Sequence, residues 1–425
     1  MTITTEAPKA GAPETRIDLS DAGLWQDGPP RAEFARLRAE APVAWNPRHD
    51  GPRGFWAVTR YDDIVTVSKD TDTFSSRGGV ISLDDFDDAQ NDKRRTLLEM
   101  DPPQHGKMRM LTLPGFTRRG VGGLEDDVRA RVAALLDALT DAGPFEAVET
   151  LTKQIPIITL CSLLGIPTER TADLIRWSDL LIGSDDPDFV DPIFEQYSED
   201  ERRMMPFGHP AALWAFEMGR ELAADRRANP RADVITMLVQ AEVDGRPLTE
   251  DEYLNYFLML VVAGNETTRH TMSHGLRALA DHPGEWERFR AGGISSQTAT
   301  DEILRWASPV HFVRRVATCD TELGGVEIAR GDKVAMYFTS GNRDAAHFDT
   351  PESFDIGRDP NPHMAFGKGG PHFCLGNYVA QLQVRVLVEE LAKRVARIEA
   401  TGRVSLLRSN HIHGVKVLDL AFHSG

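Results

Sequence analysis

The chain has 425 residues, 48 Lys+Arg against 65 Asp+Glu for a formal charge of −17, and only 3 cysteines. With 41% hydrophobic and 27% charged residues it has the composition of a globular protein with a substantial core, which excludes disordered and collagen-like classes. The acid excess argues against nucleic acid as a default partner. Cys161, Cys319 and Cys374 are widely spaced, so neither a disulfide framework nor a zinc ribbon is expected, and the usage suits a reducing cytoplasm. No segment approaches the ~18 consecutive apolar residues of a membrane anchor, and residues 1–20 lack a signal-peptide layout.

Residues 1–16 are polar, rich in Ala, Pro and Thr and without periodicity, which predicts a mobile N-terminal tail ahead of a single domain over 17–425. RAEFARLRAEA (31–41) carries Phe34, Leu37 and Ala41 on one helical face, and FWAVT (55–59) reads as a strand. Residues 76–100 mix Gly, acids and scattered apolar residues, the pattern of a long binding loop with short broken helices. Helices are predicted over 124–165, closed by Gly165 before Pro167, with Cys161 as a core thiol. Residues 184–210 form a second irregular, lid-like stretch, and strand patterns return at 311–317, 326–328, 333–338 and 415–422. The economical fold class is mainly α with small β-sheets.

Thr249 and Glu252 form a capping box that opens a helix running without proline to Pro283, ~34 residues or about 50 Å. Its run from Tyr256 to Val262 has no polar face and reads as buried. Ala263-Gly264-Asn265-Glu266-Thr267-Thr268 then interrupts it. Gly264 costs ~1 kcal/mol in a helix interior, and threonines bond back to the preceding turn. Glu266 either points to solvent or forms with Thr267 a proton-delivery pair beside a ligand groove.

FGKGGPHFCLG (366–376) runs into a helix with Leu375, Val379, Leu382 and Val386 on one stripe. Cys374 therefore sits at or just before a helix N-terminus, where unpaired amides and the macrodipole favour a thiolate. Gly367, Gly369 and Gly370 permit a tight loop that a flat ligand can approach. With no second cysteine nearby, one axial thiolate on a haem iron fits better than a multi-thiolate site.

This string resembles the haem-binding signature of the cytochrome P-450 family, Phe-Gly-x-Gly-x-His-x-Cys-x-Gly, with one additional residue before His372. The likeness extends in order and spacing from about Ala32 to Phe422. Glu302-Ile303-Leu304-Arg305 matches the family's Glu-x-x-Arg ion pair, with Arg358 as third partner. AGNETT matches the helix lying over the haem, and Asp101 to Arg109 looks like the start of the propionate-binding helix, with Asp101 as cap and Pro102 at the first position.

The resemblance implies haem b with Cys374 as the metal ligand. Ala263, Gly264, Phe366, Gly367 and Gly376 would lie against it, and His105, Arg109, Arg315 and His372 would bind its propionates. Glu266 and Thr267 look like the acid–alcohol pair that delivers protons to dioxygen. That pair favours a monooxygenase over the alternatives of a peroxide-driven enzyme or a non-catalytic haem sensor. Electrons from NAD(P)H would arrive through a ferredoxin reductase and a ferredoxin, docking on Lys368, Arg118 and Arg119. The substrate pocket is expected from Ile81, Leu83, Leu97, Leu98, Val262, Val310, Phe312, Val313 and Ile412, for an apolar terpenoid, steroid or branched lipid. No buried carboxylate or arginine pair in these stretches points to a charged ligand.

Overall fold

The computed structural model describes residues 11–48 and 53–425. The helix Glu250–Asp281 runs through the middle of the protein and is here called the central helix. Its capping box forms as predicted. Thr249 Oγ1 accepts from the Glu252 amide at 3.2 Å, and the Glu252 carboxylate accepts from the Thr249 amide at 2.8 Å. It stops one residue before His282, and Pro283 opens the next helix, Pro283–Arg290.

The two halves of the central helix serve different cores. Phe257, Leu258 and Val261 pack with Leu160, Cys161, Leu164, Trp177 and Met218 from the helices Gln154–Leu164, Thr171–Ile182 and Ala211–Ala228. Met272, Leu276 and Leu279 pack instead with Trp286, Ile303, Val384 and Leu387, the last three from Ser296–Ala307 and the final helix, Asn377–Arg394. Residues 263–268, where the polar flaw lies, fall between these two apolar clusters.

A five-stranded sheet has the order Val43–Asn46, Phe55–Val58, Lys333–Tyr337, Phe312–Ala317, Phe74–Ser75. Lys333–Tyr337 lies parallel to Phe55–Val58 and antiparallel to Phe312–Ala317, with Val334 opposite Arg315 and Met336 opposite Val313. A long hairpin pairs Arg397–Leu406 with Val415–His423. Its first strand escapes the sequence reading because most of its side chains face solvent, leaving no apolar alternation to detect.

Residues 1–10 of the expected tail lie outside the described residues. Residues 13–16 are not a tail. The Pro13 carbonyl accepts from the Trp45 amide at 2.8 Å, the Thr15 amide donates to the Trp45 carbonyl at 2.9 Å, and Arg16 N donates to Glu33. Backbone pairing, which needs no apolar side chain, holds the segment.

The irregular stretch 76–100 contains the helix Asp88–Arg94 and the turn Leu97–Glu99. Two buried cations hold its first part. Arg314 donates to the Asp84 carbonyl at 2.7 Å and its amide to the Val80 carbonyl at 2.8 Å, while Lys333 Nζ reaches the Leu83 carbonyl at 2.8 Å. The second stretch, 184–210, touches the first: Arg94 donates to the Arg203 carbonyl and Arg203 to the Asp85 carbonyl.

Candidate active site

Between the two cores lies a cavity of about 280 Å³. Its floor and walls bring together the 366–376 loop, the middle of the central helix, the Gln104–Met110 helix, strand Phe312–Ala317 and both irregular stretches. Ile81, Leu97, Leu98, Val262, Val310, Val313 and Ile412 line it as expected. Leu83 and Phe312 do not. Strand alternation turns Val313 and Arg315 towards the cavity and Phe312 to the other face, where it packs with Leu83, Phe34 and Tyr337. Met259, Leu260, Leu163 and Phe207 line the cavity too, from helix and loop positions that read in sequence only as core or lid.

The loop around Cys374 is shaped by close approach. A Cβ on Gly370 would stand 2.0 Å from the Ser68 carbonyl oxygen, and Gly367 and Gly369 take φ of +76° and +81°. The Cys374 amide donates to the Phe366 carbonyl at 2.9 Å, and Asn377 Nδ2 donates to the Cys374 carbonyl at 2.8 Å, tying the loop to the final helix. Burial pushes the Cys374 thiol up, and the Gly376 amide and Arg109 oppose it without prevailing. The expected preference for a thiolate is thus outweighed by desolvation; a metal cation at the sulfur would supply the missing charge.

His105 and Arg109, four residues apart on one helix, face the cavity together with Arg315 and His372. The His105 and His372 rings stand 4.0 Å apart, and His372 Nε2 lies 3.0 Å from Ser76 Oγ. Burial, then the charges of Arg109 and Arg315, lower His105 to about 4; burial, Arg315 and His105 lower His372 to about 2. Asp101 does not cap this helix, whose N-cap is Pro103; its carboxylate instead accepts from the Ser75 hydroxyl and the Ser76 amide.

No carboxylate among the described residues lies within ion-pair distance of Arg109 or Arg315, and the buried Arg315 Nε has no hydrogen-bond partner. Two guanidiniums without carboxylate partners, beside two neutral imidazoles and one thiol in the same cavity, fit a flat dicarboxylate carrying a metal, which is haem.

Above these groups the central helix behaves unlike a buried helix. Ala263 is exposed to the cavity and Thr267 half-exposed, and Thr267 Oγ1 donates to the Ala263 carbonyl at 3.0 Å. Gly264 has another duty: a Cβ there would meet Leu160 at 2.9 Å, so its bare side lets the Gln154–Leu164 helix close in.

Glu266 is 1% exposed and fully engaged. Oε1 accepts from Ser178 Oγ at 2.9 Å and Asn265 Nδ2 at 3.1 Å; Oε2 pairs with Arg269 and lies 3.3 Å from His270 Nε2. Because the Val415 amide donates to His270 Nδ1 at 3.1 Å, the ring proton sits on Nε2 and is donated to Glu266. Burial opposes ionisation of Glu266, but Arg269 and His270 overcome it and hold the carboxyl below its ordinary range. Arg269 also pairs with Asp179 at 2.6 Å, and Asp179 with Lys153 at 3.1 Å.

The Glu302–Arg305 pair is wholly buried at 2.7 Å, with Arg358 at 3.1 Å from the same carboxylate. Arg305 also donates to the carbonyls of Asn342, Pro351 and Ser353, fastening the segment that leads to the cysteine loop.

The profile of the family described as Cytochrome P450 matches residues 297–394. The chain is 35% identical over 412 residues to a steroid C26-monooxygenase of Mycobacterium tuberculosis, covering 94% of this chain and 91% of that protein. It is 35% identical over 429 residues to a methyl-branched lipid omega-hydroxylase of the same organism, covering 98% and 96%. A cytochrome P450 of Mycobacterium marinum solved in complex with pseudoionone superposes with a TM-score of 0.86 at 36% identity, over 97% of this chain and 100% of that one. Relatives this similar over nearly the full length settle the family: the chain belongs to the cytochrome P450 family, and it is a haem-dependent monooxygenase.

Proposed function

We propose that this monooxygenase inserts one oxygen atom into a C–H bond of an apolar steroid, methyl-branched lipid or terpenoid, with Cys374 as the iron ligand. The cavity carries this reading: apolar side chains from five segments converge on the side of the central helix where Thr267 is exposed, and the same cavity holds Cys374. The substrate class draws on the named activities of the relatives. Bound haem supplies dioxygen activation, helped by electron donation from the cysteine sulfur.

Arg109 and Arg315, guanidiniums without a carboxylate partner, would hold its two propionates, with His105 and His372 as neutral imidazoles beside them able to donate hydrogen bonds. Thr267 Oγ1 exchanges its bond to the Ala263 carbonyl for one into the cavity and orients a proton there. Glu266 is stored as a carboxylate; once Oε2 leaves Arg269 it loses the charge that keeps it ionised, takes up a proton from solvent water and passes that proton into the cavity, returning to the carboxylate. The apolar lining of Val262, Val313, Leu98 and Ile412 binds substrate and excludes bulk water.

Electrons come in this reading from NAD(P)H through a ferredoxin in the cytoplasm. Arg118 and Arg119 are exposed, and the Arg118 guanidinium lies 5.8 Å from the ring of the exposed Tyr378, a basic and aromatic face suited to an acidic donor. Among the described residues no helix is long and apolar enough to cross a membrane.

A screen of spin-state shifts in the oxidised holoprotein against sterols, branched fatty acids and terpenes tests the substrate class, followed by product analysis with NAD(P)H, a ferredoxin and its reductase. Shifts and hydroxylated products from one of these classes are expected. Absence of shift and product across all three would overturn the reading.

A further inference from the structure

Beside the main cavity, at the meeting of the two irregular stretches, is a second one of about 30 Å³. The two share Ile81, Leu98 and Phe207 as a common wall. Their characters differ. The main cavity is mostly apolar away from its basic wall and the polar turn of the central helix, whereas the small one presents Ser82, Asn91, Arg94, Thr96 and Glu99.

Within this polar end the hydrogen-bonding capacity is largely spent internally, with one exception. Ser82 donates to Asp84 at 3.3 Å and Asn91 to the Phe86 carbonyl at 3.2 Å; Glu99 accepts from the Thr96 amide at 3.0 Å and hydroxyl at 2.6 Å. The neighbouring acids are also committed: Asp84 to Arg48 at 3.0 Å, Asp85 to Arg53 and Lys333, Asp92 to Arg95.

Arg94 alone among these cations has no carboxylate within ion-pair distance among the described residues. Its guanidinium lies 4.1 Å from the centroid of the Phe86 ring, and its hydrogen bond runs from Nη1 to the Arg203 carbonyl at 3.3 Å. Arg203 lies over the same ring at 5.6 Å. Two guanidinium groups thus share one aromatic ring beside the substrate cavity. Burial lowers Arg94 to about 10 against the opposing charges of Glu99 and Asp84, so it stays charged at neutral pH.

We propose that Arg94 is an anion subsite beside the cavity, and that the substrate is an amphipathic lipid whose carboxylate is held by Arg94 while its apolar end extends into the main cavity. This rests on, and narrows, the proposed oxidation of an apolar lipid. A volume of about 30 Å³ admits a small head group and no larger polar body. The planar guanidinium suits a carboxylate, which a neutral ester or alcohol imitates poorly. Anchoring the head there directs oxidation to the far end of the chain.

The test is a spin-state titration of the oxidised holoprotein with an iso-branched hexadecanoic acid and with its methyl ester. The wild type should bind the acid about tenfold more tightly, the effect of one charge-assisted contact. Arg94→Gln should abolish that preference while leaving ester affinity unchanged, and Arg94→Lys should restore part of it. The reduced-carbonyl spectrum verifies that each variant is folded and loaded. Equal affinity of the wild type for acid and ester, or an acid preference that survives in Arg94→Gln, would overturn the subsite and leave oxidation of apolar lipids standing. A wild type that responds to neither compound, nor to any sterol or terpene, would overturn both.

Discussion

Ser178 Oγ donates to Glu266 Oε1 across 2.9 Å, joining the helix Thr171–Ile182 to the middle of the central helix at the carboxylate proposed to deliver protons. With Asn265 on the same oxygen and Arg269 and His270 on the other, Glu266 is a buried ion whose environment is complete. A complete environment makes the group stable and slow to act, and removing one partner changes both properties.

Arg269→Met leaves the Glu266 carboxylate buried without its main counter-charge, and should cost about 3–5 kcal/mol of stability at neutral pH. Glu266 has a folded pKa below its unfolded one, so its contribution is fully present above the ordinary carboxylate pKa and is lost as pH falls through the lower folded value. In Arg269→Met that folded pKa rises, the carboxyl protonates on acidification, and the penalty shrinks. The combination Arg269→Met with Glu266→Gln should recover much of the loss at neutral pH. Urea melts of the three proteins across the acid range check this; a penalty independent of pH would show that Glu266 is not the group left uncompensated.

Thr267→Ala should lower product formation by about 10²-fold, the scale of one lost proton-transfer contribution, while NAD(P)H consumption continues and its electrons leave as hydrogen peroxide. The substitution removes only a bond back to the Ala263 carbonyl, so the melting temperature should hardly move. Parallel measurement of product, NAD(P)H and peroxide decides it, and full coupling in the variant would refute the role assigned to Thr267.

Gly370→Ala places a methyl group 2.0 Å from the Ser68 carbonyl oxygen, and either the cysteine loop or the helix Tyr61–Lys69, which contains Ser68, must shift. A stability loss of about 1–3 kcal/mol and a lower haem content per chain are expected. Gly122→Ala, whose methyl would meet nothing within 4 Å, should be neutral or slightly stabilising. Absorbance ratios of haem to protein and thermal melts of both variants test the contrast.

The central helix and the cysteine loop were legible because their determinants are local: a capping box, a run of glycines, a stripe at helical spacing. Arg269 and His270 stand three and four residues after Glu266, so part of its environment was also present in the string Glu-Thr-Thr-Arg-His. Ser178, which comes from 88 residues away, was not. Phe312 and Val313 are equally apolar, and only strand register reveals which faces the cavity. Arg94 looked like one more charge in an acidic loop until the fold placed it over Phe86, with no carboxylate among the described residues in direct contact.

Arg314 and Lys333 grip residues 80–85 from beneath through buried bonds to backbone carbonyls, whereas Asp88–Arg94 has no buried side chain at all. Asp88–Arg94 is instead moored sideways: Arg94 and Arg203 lace it and its neighbouring loop to the 184–210 stretch through main-chain carbonyls, so a substitution at either arginine is felt in both irregular segments.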